Sequence, residues 1–194
     1  MTWTIDPAHS AVTFSAKHMM VTKVRGSLAI REVDLDFAPD RPEASSVRVV
    51  LDAATIDTGQ TMRDQHLRSP DFLESEAHPT IEFASTRIEP TGGDRYDIHG
   101  DLTIRGATRP VVLAAELGGV VGDWQGGGRR AAFSARTKID REDFGLTWNV
   151  ALEQGGWLVS RDITIDIELA ATASAAADAV AADARADRRQ VVGA

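Results

Sequence analysis

The stretch RYDIHGDLTIR, residues 95–105, decides how the chain is read. Tyr96, Ile98, Leu102 and Ile104 fall on one parity, while Arg95, Asp97, His99, Asp101, Thr103 and Arg105 fall on the other. Successive side chains of a strand point to opposite faces, so this pattern predicts a strand with one buried and one wetted face. Working outward, the same split recurs in AVTFSAKH (11–18), where Val12, Phe14, Ala16 and His18 share a face, and in VRVVLDA (47–53), where Val47, Val49, Leu51 and Ala53 do. TIEFAS (80–85) sets Ile81 and Phe83 against Glu82, and DITIDIEL (162–169) sets Ile163, Ile165, Ile167 and Leu169 against Asp162, Thr164, Asp166 and Glu168. VVLAAEL (111–117) and AAFSARTKI (131–139) follow the rule less cleanly. In GSLAIREVDLDF (26–37) the apolar parity changes from Leu28 and Ile30 to Val33, Leu35 and Phe37, which one extra residue near Arg31 and Glu32 explains as a bulge.

About eight such strands, joined by turns such as PTGGD (90–94) and WQGGGR (124–129), predict an all-β antiparallel barrel or sandwich, and a polar outer face on nearly every strand favours the closed barrel. The exception is MRDQHLRSPDF, residues 62–72. Thr61 with Asp64 reads as a capped helix start, with Asp64 facing Arg68 and Met62 facing His66 at helical spacing. Ser69 before Pro70 reads as a second N-cap, so two short helices are expected across one end of the barrel.

Composition narrows the function classes. The 194 residues carry 29 acidic and 21 basic side chains, a net charge of -8 that disfavours nucleic acid and anionic membrane surfaces. Cysteine is absent, which removes disulfides, thiolate metal sites and a cysteine nucleophile. No apolar run is long enough to span a membrane, and MTWTIDPAHS opens without a basic patch or apolar run, so a cytoplasmic protein is expected. One domain is expected over 1–170, followed by an alanine-rich tail over 171–194 that is a marginal helix or disordered, because it has no apolar stripe to bury.

Candidate chemistry is sparse. His9, His18, His66, His78 and His99 lack the short paired spacing of a metal site, and His99 falls on a solvent face, so no metal and no cofactor are expected. Asp64, His66 and Ser69 on one short helix do not make a hydrolytic relay. QGGGRR (125–130) lacks the lysine and following helix of a phosphate loop and reads as a hairpin. Arg63, Arg68, Arg129 and Arg130 read as salt-bridged surface, with Asp64 and Asp71 close to the first pair. The inward face is more informative. Ala16, Gly26, Ala53, Ser85, Gly100, Ala115 and Ala135 are small residues among larger ones, marking either room for a ligand or corners where the sheet coils.

Four blocks, WTIDPAHSAVTFSAKHMMVTKVRG (3–26), IDTGQTMRDQHLRSPDFLESEAHPTIEF (56–83), GDLTIRGATRPVVL (100–113) and DREDFGLTW (140–148), resemble the YceI-like family of polyisoprenoid-binding proteins in the same order. The resemblance covers residues 3–169. It implies a lipocalin-like barrel, commonly dimeric, whose apolar interior holds a polyprenyl chain or similar lipid, and it marks Asp6, His9, Ser10, His18, Arg63, Asp64, His66, Ser69 and Phe72 as motif positions. The missing export signal and the alanine-rich extension depart from the family pattern. The expected function is non-enzymatic carriage or storage of a long apolar lipid by a homodimer. Phe14, Ala16, His18, Leu51, Phe72, Phe83, Leu102, Ala115, Phe133 and Ala135 are expected to meet the ligand, and Arg63 and His66 to form a head-group rim. The competing readings are a lipid-modifying enzyme using His66 and Asp64, and a stress-linked interaction protein with a filled barrel.

Overall fold

The computed structural model describes residues 2–122, 128–153 and 155–173. The strands are β1 (Thr2–Ile5), β2 (Ala11–His18), β3 (Thr22–Asp36), β4 (Ser46–Asp57), β5 (Thr80–Gly92), β6 (Arg95–Ile104), β7 (Ala107–Gly122), β8 (Arg129–Asp140) and β9 (Val159–Ala173). One α-helix, α1 (Thr61–Arg68), and short 3-10 turns at Pro7–His9, Pro42–Ala44 and Arg141–Phe144 complete the described elements. Every ladder is antiparallel, in the order β3-β2-β9-β8-β7-β6-β5-β4, and a β3–β4 ladder closes the ring. The result is a closed eight-stranded barrel, the architecture expected from the alternation.

The ninth strand does not widen the ring. β1 lies in the slot that β2 occupies, pairing Thr2 with Asp36 and Trp3 with Leu35 of β3 on one side, and Thr4 with Thr172 and Ile5 with Ala171 of β9 on the other. The chain leaves the sheet between β1 and β2 at the Pro7–His9 turn, and the Asp6 carboxylate clips that detour. It accepts from the Ala8 amide at 3.1 Å, His9 Nδ1 at 2.8 Å and Arg130 Nη1 of β8 at 2.7 Å. Ser10 Oγ donates to the Asp6 carbonyl at 2.7 Å and accepts from the Ala170 amide at 3.1 Å, so the broken ladder is mended by side chains.

The parity change in β3 is a bulge. Ile30 faces Leu51 while Glu32 faces Val50, leaving Arg31 as the extra residue. Gly26 and Gly100 act as seats for aromatic rings: a Cβ on either would stand 2.5 Å from the ring of Phe14 or Phe83 respectively. Ser85 sits at another irregularity, where β5 slips against β6, and its hydroxyl accepts from the Val47 amide at 2.9 Å.

Two expectations are corrected. The last strand runs past residue 170, because Ala171 and Ala173 continue the inward parity of Ile163 to Leu169. At 0% and 2% exposure they pack with Trp3, Phe37 and Ala131 in a second core cluster. Their small size hid the alternation. The remainder of the alanine-rich tail, 174–194, lies outside the described residues, as does 123–127 of the glycine-rich turn. Its flanking strands pair as far as Gly122 with Arg129.

The second correction concerns the polar knot, which forms one α-helix rather than two. Gln60, not Thr61, is the N-cap, its side chain accepting from the Arg63 amide. Ser69 closes the C-terminus, and the carbonyls of His66, Leu67 and Arg68 are taken by the amides of Ser69, Leu73 and Ser75. Those bonds fold SPDFLES back as consecutive turns, so no second helix can start. α1 is bolted to the end of β4. Buried Asp64 accepts from the amide and hydroxyl of Thr58, Arg63 donates from Nε to Thr58 Oγ1 at 2.7 Å and from Nη2 to its carbonyl at 2.8 Å, and Arg68 Nη2 donates to the Ile56 carbonyl at 2.8 Å. Asp64 Oδ1 therefore takes both Thr58 donors, rather than the Arg68 guanidinium expected from helical spacing. Burial alone would raise its carboxyl pKa, but the Thr58 bonds and the two arginines together hold it below the usual carboxylate value.

Two outcomes test this fold. Ending the chain at Ala170 should lower the melting temperature relative to ending it at Ala173, by roughly 2–4 °C for each kcal/mol lost, because the alanines beneath Trp3 are removed. Equal melting would mean that the strand end contributes nothing. The Asp6 carboxyl is held low chiefly by its His9 bond and then by Arg130. A group depressed in the folded state stabilises above its unfolded pKa and loses that contribution as pH falls through its folded value. Acid titration from about pH 6 to about pH 3 should thus show a shallower stability loss in Asp6→Asn than in the unaltered protein.

Candidate binding cavity

The inward faces leave the barrel hollow. A cavity of about 580 Å³ runs from beneath α1 to the loop joining β3 and β4, within the range typical of small-molecule sites. Its wall along β8 alone extends from Phe133 to Ile139, which spans roughly 20 Å at the usual rise of a strand. All twelve residues singled out from the sequence contribute to the wall. Phe14, Ala16 and His18 come from β2, Leu51 from β4, Phe83 from β5, Leu102 from β6, Ala115 from β7, and Phe133 and Ala135 from β8. Arg63 and His66 come from α1, and Phe72 from the turns that follow it.

The small residues divide between the two roles considered for them. Ala16, Ala115 and Ala135 line the cavity, and Ala115 and Ala135 are partners across the β7–β8 ladder, so two adjacent strands are low at the same height. Gly26, Gly100 and Ser85 belong to the barrel's construction, as ring seats and a bulge repair. Ala53 is packed in the main core cluster.

Polar groups collect at the α1 end. His66 Nε2 lies 2.9 Å from Asp71 Oδ2, and the imidazole stands edge-on to Phe72 and Trp148, at 5.1 and 4.6 Å between ring centroids. Asp71 was expected beside the arginines, but its carboxylate goes to the histidine. Met62, one turn before His66, is 76% exposed and also touches the cavity. Asp64, His66 and Ser69 do not converge: Asp64 bonds Thr58, His66 bonds Asp71, and Ser69 Oγ donates to the His66 carbonyl at 2.8 Å. Of the remaining motif positions, Asp6, His9 and Ser10 form the β1–β2 clip. His99 is at 3.1 Å from Glu89 and 3.3 Å from Arg87, and among the described residues no group of three or more His, Asp or Glu side chains is placed to hold a metal ion.

Among the wall residues that the sequence reading did not single out, two bear on the polar end. Trp148 closes the ring cluster around His66, but it lies in a loop after β8 where periodicity gives no warning. Arg141 had a signal that was passed over. Phe133, Ala135, Thr137 and Ile139 all line the cavity, and the next inward position of that parity is Arg141, which also lines it at 3% exposure.

The comparisons agree with this geometry. A family model described as YceI-like domain matches residues 3–171. Protein YceI of Escherichia coli is 37% identical over 160 residues, covering 82% of this chain and 81% of that protein. The crystal structure of a Campylobacter jejuni YCEI protein superposes with a TM-score of 0.69 at 29% identity, over 81% of this chain and 90% of that one. A polyisoprenoid binding domain from Saccharophagus degradans, implicated in plant cell wall breakdown, shares the fold with a TM-score of 0.64 at 14% identity, over 88% of this chain and 98% of that one. Among the described residues no helix is long and apolar enough to cross a membrane. With matching motifs, a matching barrel and a family model spanning nearly the whole of it, the chain belongs to the YceI-like family.

Proposed function

We propose that the protein binds a polyisoprenoid or similar long apolar lipid inside its barrel and carries or stores it without chemical change. The observation that supports this most directly is the apolar cavity of about 580 Å³ extending along the strands. Each buried methylene contributes about 0.8 kcal/mol, so ten chain carbons offer on the order of 8 kcal/mol before ordering costs are subtracted. Chain length then governs affinity, and a narrow apolar tube selects for extended chains. The polyisoprenoid-binding domain that shares the fold supports the ligand class. The hollow interior weighs against a filled barrel, and the separate commitments of Asp64 and His66 weigh against an acid–base pair acting on the lipid. We propose further that the protein works in the cytoplasm and as a homodimer, the state that the family resemblance implies.

Within this reading the twelve wall residues meet the ligand, with its apolar chain along Phe14, Leu51, Phe83, Leu102 and Phe133 and its head toward His66 and Arg63. Replacing Ala115 or Ala135 by Phe should reduce uptake of a fluorescent polyprenyl probe at least severalfold, while stability falls by no more than about 1–3 kcal/mol. Undiminished uptake in both variants would contradict a ligand inside the barrel.

A further inference from the structure

Arg141 is the odd member of an otherwise apolar wall. Its Nε donates to the Ser160 carbonyl at 3.0 Å and its Nη1 to the Leu146 carbonyl, but its Nη2 is buried with no hydrogen-bond partner. An arginine keeps its charge in any protein interior, so burial leaves a cation to be compensated and not a neutral group. The two flanking carboxylates, Asp140 and Glu142, favour the charge at a distance, but neither takes a hydrogen bond from Arg141 Nη2. Asp140 Oδ2 lies 2.6 Å from Arg161 Nη2 and Glu142 Oε2 lies 3.1 Å from Arg161 Nε, so both are engaged by a more exposed cation. The only other buried side-chain nitrogen without a partner among the described residues, Arg68 Nε, belongs to a residue that does not line the cavity.

Arg63, the cation first expected at the rim, is in a different position. Two of its guanidinium nitrogens are spent on Thr58, where they hold α1 to β4. Among the described residues Arg141 alone combines a buried donor that has no partner with a place on the cavity wall, at the end where His66 and Trp148 also stand. An unpaired buried guanidinium is stabilised most by an oxyanion, whose lone pairs match its planar donors.

We infer that Arg141 is the head-group anchor of this cavity, and that the physiological ligand bears an oxyanion, carboxylate or phosphate, on its apolar chain. This rests on the lipid-carrier reading above and specifies its ligand. The unpartnered nitrogen sets the polarity of insertion: head at the α1 end, chain toward the loop between β3 and β4.

The test compares two probe pairs that share a chain and differ in head: oleate with methyl oleate, and farnesyl phosphate with farnesol. The unaltered protein should prefer the charged member of at least one pair by about tenfold, the value of one charged hydrogen bond. Arg141→Met should erase that preference while binding the neutral members within about twofold, because the apolar wall is kept. Loss of preference in the oleate pair alone assigns a carboxylate head, in the farnesyl pair alone a phosphate head, and either supports the inference. No preference in the unaltered protein, or a preference that survives Arg141→Met, overturns it while leaving the carrier reading intact. Failure of the unaltered protein to bind any of the four probes overturns the carrier reading and the inference with it. Should Arg141→Met not fold, the guanidinium nitrogen resonances of Arg141 in the unaltered protein serve instead. They should shift with a charged probe and not with its neutral partner, and equal response to both overturns the anchor.

Discussion

The ladder between β3 and β4 is the contact on which the rest of the molecule depends, because it converts an open sheet into a ring. An open sheet would expose two edges and could not enclose a volume. β3 makes closure possible by its length. Its fifteen residues pair with β2 and β1 on one side and with β4 on the other, and the bulge at Arg31 lets it keep its apolar residues inward around the bend. The Asp6 clip serves the same end on the opposite flank, filling the slot that β2 alone is too short to occupy.

Once the ring is closed, side-chain size decides whether it is a core or a container. Eight strands enclose an interior just wide enough for side chains to fill or for one ligand to occupy. Here the large residues are kept close to the wall, with Phe14 lying over Gly26 and Phe83 over Gly100, while the Ala115 and Ala135 pair withholds volume where two strands meet. Below, at the far end, Phe37 meets Phe133 edge to face and Trp3 at a tilt, with the Trp3 indole donating to the Phe37 carbonyl at 3.0 Å. The hollow is thus bounded by an aromatic floor and a polar ceiling, an asymmetry that suits a ligand with unlike ends.

Much of this was legible beforehand because barrel strands have a fixed period of two. Parity alone identified the inward faces of β2, β4, β6 and β9, the bulge at Arg31, and several of the strand residues that stand on the cavity wall. What parity could not resolve were features set by neighbours distant in sequence. Whether Gly26 and Gly100 marked empty space or a seat for a ring depended on Phe14 and Phe83 across the ladder. Whether Ser69 opened a helix or closed one depended on which amides reached the carbonyls of His66 to Arg68. Ala171 and Ala173 continued the pattern in residues too small to announce it, which is why they were assigned to the tail, and Arg141 continued it in a residue of the wrong polarity, which is why it was not singled out.

The central claim is a single lipid inside a hollow barrel, and native mass spectrometry of the protein as isolated, followed by solvent extraction, addresses it most directly. The account predicts one long-chain lipid per chain, released by the solvent chemically unchanged and taken up again when an extended polyprenyl chain is supplied. A mass that stays that of the bare polypeptide both before and after such incubation, or a ligand returned in altered form, would contradict it.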